Sequence, residues 1–133
     1  MSATAIVRTL LAANAPVIAV AAATKIIIGA IPLNTVLPAL SLQLVSATRR
    51  NTVRMSGAGV MVTARVQVTA QTKTGAQRTS LLKLVGTALP NTRGTVGGFS
   101  VDSILPDVEG PDFEDVDPVI YMGSRDFIVK FFE

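Results

Sequence analysis

Two short stretches of this chain hold most of the side chains able to do chemistry. Six carboxylates, Asp107, Glu109, Asp112, Glu114, Asp115 and Asp117, lie close together, and three arginines, Arg49, Arg50 and Arg54, form the densest basic patch. Hard cations such as calcium take several carboxylate oxygens. The acids here lack the Asp-x-Asp-x-Asp-Gly run with a distal Glu, and Pro106, Pro111 and Pro118 do not set them around one cage. They read as a solvated loop, or as one side of a contact with basic residues of a neighbouring subunit. The arginines can meet DNA phosphates or a protein partner, and protein contacts are the favoured reading. Gly94-Thr95-Val96-Gly97-Gly98 has the glycines of a phosphate loop, but no Gly-Lys-Ser/Thr follows and a strand comes next, so a turn and bulge is expected.

The 133 residues contain neither cysteine nor histidine. Thiol nucleophiles, disulfides, imidazole bases and His- or Cys-bound metals are thereby removed. No cofactor or metal is expected, and an enzyme is the weakest class of function. Charge is split along the chain: residues 1–101 carry ten basic residues and no acid, whereas all nine acids follow, beside only Arg125 and Lys130. Neighbours in sequence cannot neutralise such a split. The basic body must meet the acidic segment across the fold, on another subunit, or face separate charged partners. A hydrophobic fraction of 49% with 16% charged residues also favours burial of apolar surface against other copies. Sixteen residues separate Arg8 from Lys25, with Asn14 and Pro16 among them, which reads as a helix junction and not as a membrane span or signal segment.

These groups need elements to hold them. Ser2 caps a first helix that Asn14 ends, and Pro16 starts a short second one. Ile26, Ile27 and Ile28 read as extended. Period-2 alternation gives long strands at Ala39–Thr48 and Val60–Thr72. Thr74 caps a helix over Gly75–Leu89 whose stripe is Leu81, Leu82, Leu84, Val85, Ala88 and Leu89. Further strands fall at Val96–Leu105 and Val119–Phe132. The expected class is α+β, with about four long strands, a long helix and an N-terminal helix pair. One domain, 1–133, carries an exposed basic hairpin arm at 49–59 and an acidic loop at 106–118. Arg125 and Asp126 point to opposite faces and need separate partners, and the Phe127–Phe132 end, apolar on both faces, is a candidate interface including Phe131 and Phe132.

Leu10-Leu11-Ala12-Ala13-Asn14-Ala15-Pro16-Val17, Ile27-Ile28-Gly29-Ala30-Ile31-Pro32, Leu37-Pro38-Ala39-Leu40, Arg65-Val66-Gln67-Val68-Thr69-Ala70-Gln71 and Tyr121-Met122-Gly123-Ser124-Arg125-Asp126-Phe127-Ile128-Val129 follow one another in an order that covers nearly the whole chain. In that order the sequence resembles the tail-completion, or tail-terminator, family of long-tailed bacteriophages. It departs from the family in having Thr69-Ala70-Gln71 where an aromatic is common. The resemblance implies a mostly antiparallel sheet with its helices packed on one face, in a virion protein that forms a hexameric ring on the last tail-tube ring, at the head-proximal end of the tail. Such a ring stops tube polymerisation and joins the head connector or neck protein, with genomic DNA passing through its lumen. Its place would be the virion, and the host cytoplasm during assembly, with no membrane partner. Arg49, Arg50, Arg54, Asp112, Glu114, Asp115, Arg125, Asp126, Phe131 and Phe132 are the expected ring contacts. A tail-tube or head-connector subunit is the alternative from the same particle, and a small basic DNA-binding protein the alternative from another class.

Overall fold

The structure is a computed structural model that describes residues 2–32, 35–51, 60–90, 92–116 and 119–132. Its elements are α1 (Ser2–Ala12), α2 (Ala15–Val20), a 3₁₀ turn (Ala23–Lys25), β1 (Ile26–Ile28), β2 (Ala39–Asn51), β3 (Val60–Thr72), α3 (Gly75–Ala88), β4 (Gly94–Val96), β5 (Phe99–Glu109), β6 (Phe113–Val116) and β7 (Val119–Phe132). The sheet order is β1-β2-β3-β7-β5-β4, with β6 also paired to β7. Only β1 and β2 run parallel; the other pairs are antiparallel.

The expected four long strands and long helix are corrected here. Strands make up 50% of the chain, seven of them in a curled half-barrel, and the helices are small. The segment 106–118 is expected as a loop, but over its described residues, 106–116, β5 runs on through Glu109 and β6 resumes at Phe113 alongside the same strand, β7. Proline and exposed acids are tolerated there because β5 is paired on one side only beyond Val101, and an edge strand can spare the missing N–H. The Val96–Leu105 strand likewise divides in two. Gly97 and Gly98 form the two-residue turn between β4 and β5, with φ of 57° and 85°. Positive φ at both turn residues matches the right-handed twist of a tight hairpin and favours glycine. Gly98→Ala is expected to destabilise the fold by about 1–2 kcal/mol, the cost of a Cβ in left-handed backbone, and urea denaturation measures it.

One face of the sheet is buried under helices. Along β3, Val62, Ala64, Val66, Val68 and Ala70 are buried, and they join Ile6, Val7 and Leu11 of α1 and Leu81, Leu82 and Val85 of α3 in one core. The alternate residues, Met61, Thr63, Arg65, Gln67, Thr69 and Gln71, are half-buried on the other face, which no described helix covers. Local caps set the helix starts. Asn14 Oδ1 accepts from the Val17 N–H at 3.2 Å and Thr74 Oγ1 from the Gln77 N–H at 3.1 Å. Helix α3 sits hard against β7: a Cβ at Gly123 would come 2.9 Å from Leu82 Cδ1 and 3.2 Å from Arg78 Cδ.

Candidate functional site

The charge split closes across the fold, at two arginines that sequence reasoning did not single out. Arg78 occupies the stripe of α3 at the spacing of Leu81, Leu82 and Val85, and it is only 9% exposed. Buried guanidinium needs partners. Arg78 Nη2 lies 3.3 Å from Asp112 Oδ2, and Nη1 lies 3.2 Å from Glu114 Oε1. The guanidinium carbon stands 5.7 Å from the centre of the Tyr121 ring, within cation–π range. Its Nε has no hydrogen-bond partner among the described residues. Arg78 thus fastens α3 to the crossing from β5 to β6.

Arg65, on the uncovered face of β3, does the same for the centre of the sheet. Its Nη1 contacts the Asp107 carboxylate on β5 and lies 3.4 Å from Asp126 Oδ2 on β7. Gln67 Nε2 donates to Ser124 Oγ at 3.4 Å beside it. The one sequence signal for either arginine was position: an Arg in the apolar stripe of a helix, and an Arg at mid-strand, each lie where solvent alone cannot serve a charge.

Of the expected contacts, Arg49 and Arg50 lie in β2, in register with Val62 and Met61, and so belong to the sheet. Arg54 and most of the 49–59 arm fall outside the described residues, as does the Asp115 side chain. Asp112 and Glu114 meet Arg78, with side chains 60% and 55% exposed, so each keeps oxygen surface for a second partner. Arg125 and Asp126 do face opposite ways. Arg125 Nη1 donates to the Leu82 carbonyl at 3.4 Å on the helix side, while Asp126 takes Arg65 on the other. Phe131 is a correction: it is 2% exposed and meets Phe99 edge to face at 5.8 Å, because strand alternation turns it into the core. Phe132, half-buried on the uncovered face, lies in register with Met61 and Ser100.

Between α3 and β7 lies a cavity of about 370 Å³ lined by Arg78, Thr79, Leu82, Lys83, Glu109, Asp112 and Arg125. Three basic and two acidic side chains line it, and Arg78 there is paired with Asp112. Among the described residues no three Asp or Glu side chains gather around a point fit for a metal ion. Nor is any described helix long and apolar enough to cross a membrane.

A sheet with one bare polar face, open edges and self-paired charges is the build of a structural module that works through its surfaces. The chain belongs to the family described as tail completion protein gp17, whose family model matches residues 5–127. A chain of a solved structure described as the virion of a native gene transfer agent particle has the same fold. It superposes with a TM-score of 0.74 at 13% identity, over 98% of this chain and 94% of that one. No curated protein matches the sequence. Family membership carries a structural role in a phage-type virion.

Proposed function

We propose that this protein is a tail terminator. Copies close into a ring, taken as a hexamer, on the head-proximal end of the tail tube, stop its growth and join it to the head connector. The observation that carries this reading is the family match over residues 5–127. The fold shared with a chain of a virion particle supports it.

Passage of DNA without tight binding is supported by the pairing of Arg65 with Asp107 and Asp126, a cluster of formal charge −1 at the centre of the uncovered face. Phosphate affinity grows with each unpaired cation. Thr63, Gln67, Thr69 and Gln71 add no charge along β3, and the cations Arg50 and Lys130 lie towards one end of that face. The exposed carboxylates of Asp112 and Glu114, together with Asp115, Arg50 and Arg54, are proposed to reach the adjoining ring or tube.

The purified protein is expected to give discrete rings by native mass spectrometry and negative-stain microscopy. Filaments would select a tube subunit instead. A monomer that stays monomeric even with tail-tube protein present would remove the reading, and a strongly salt-dependent shift of duplex DNA would favour the DNA-binding alternative.

A further inference from the structure

We propose that neighbouring copies join by continuing the sheet: the outer edge of β2 in one copy pairs antiparallel with the outer edge of β5 in the next. This rests on the ring reading above and names the surface that would build it. The occupant of each edge is a second copy of this chain.

Both edges are long and open. Strand β1 covers β2 only at Leu40–Leu42, so from Gln43 to Thr48 no described strand pairs on that side. Strand β4 covers β5 only at Phe99–Val101, and from Asp102 to Glu109 its outer side is likewise unpaired among the described residues. Rows of free N–H and C=O groups invite another strand. Exposed apolar side chains sit on the same two strands: Val45 is 52% exposed, Leu105 50% and Val108 51%. In an isolated subunit they would stand in water at opposite margins of the sheet.

The strand directions fit. Strand β2 is antiparallel to β3, β3 to β7 and β7 to β5, so β2 and β5 run in opposite senses. Rotation about an axis along the strands therefore brings one copy's β2 beside the next copy's β5 as an antiparallel pair, a contact of two different patches that can close into a ring. Register across the four strands sets the levels. Ser46, Arg65, Ile128 and Leu105 form one row, Thr48, Thr63, Lys130 and Ser103 the next, and Arg50, Met61, Phe132 and Ser100 a third. Asp102 occupies the irregularity between Val101 and Ser103. Strand β4 already fills the outer side of β5 at Phe99–Val101, so the row of Arg50 stays outside the contact. Pro106 donates no hydrogen bond, so the ladder centres on 46–48 against 103–105.

Disulfide trapping tests this cleanly because the chain has no cysteine. The paired variants are Ser46→Cys with Leu105→Cys, and Thr48→Cys with Ser103→Cys. Within one chain β3 and β7 stand between the two positions, three strand spacings or about 14 Å apart, roughly twice the Cα separation a disulfide spans. Any bond formed must join two copies. Mild oxidation is expected to give a ladder of linked species up to the closed ring, whereas each single-cysteine variant stops at dimers. Combining Ser46→Cys with Ser103→Cys, and Thr48→Cys with Leu105→Cys, reads a register two residues away in either sense. Rings that persist in microscopy while none of the four pairs links would overturn the edge contact and leave the ring standing. Linkage without a closed ring would keep the edge contact and sink the ring; neither rings nor linkage would sink both.

Discussion

Phe127→Ala is expected to lower the unfolding free energy by about 3–5 kcal/mol, the range for emptying a fully buried aromatic site. Phe127 is 0% exposed and heads the largest fully buried side chains. It lies in β7 opposite Val66 of β3 on one side and Pro106 of β5 on the other. A strand hydrogen-bonded on both sides cannot shift to fill a void without breaking two ladders, so collapse around the missing ring would be limited. Domains of this size are stable by about 5–15 kcal/mol in total. The loss should appear as a fall in melting temperature of about 10–20 °C, and ring formation should fail with it. Phe132→Ala, half-buried on the uncovered face, is the control and should cost about 1 kcal/mol or less. Equal losses at the two positions would mean that β7 does not divide its faces as described.

The contrast between these phenylalanines shows where sequence stops being legible. Strand β3 was readable because alternation over thirteen residues is a strong periodic signal. The cap at Thr74 was readable because it is a local contact, whereas Asn14, read as the end of α1, also caps α2. Strand β5 beyond Leu105 and strand β6 were not. Edge strands exposed on both faces show no alternation, and Pro106 and Pro111 imitate a loop. The helix stripe concealed Arg78, since hydropathy alone reads a polar residue there as an interruption and not as an anchor. For the acids, charge counting correctly posed the question of what neutralises them, but the answer depended on register. Asp107 reaches Arg65 only because β5, β7 and β3 lie side by side.

That pairing changes what reversal of the acidic groups should do. Asp112→Lys with Glu114→Lys is expected to destabilise the subunit itself by about 2–4 kcal/mol, before any ring contact is formed. A buried charge stripped of its partners costs about 3–5 kcal/mol. Both carboxylates are more than half exposed, so solvent screens the pairs and the lower part of the scale applies. Two lysines beside a guanidinium that is 9% exposed add repulsion to the lost attraction, and the Nε already lacks a hydrogen-bond partner among the described residues. Arg78→Met separates the contributions. It removes the buried charge along with its pairs, leaves two carboxylates free to hydrate, and should cost only about 1–2 kcal/mol. Adding Arg78→Met to the double reversal should therefore restore part of the stability, a coupling that a double-mutant cycle in urea would measure. If the reversal instead leaves the melting curve unchanged and only the ring dissociates, Asp112 and Glu114 act between copies and the Arg78 contact contributes little to the fold.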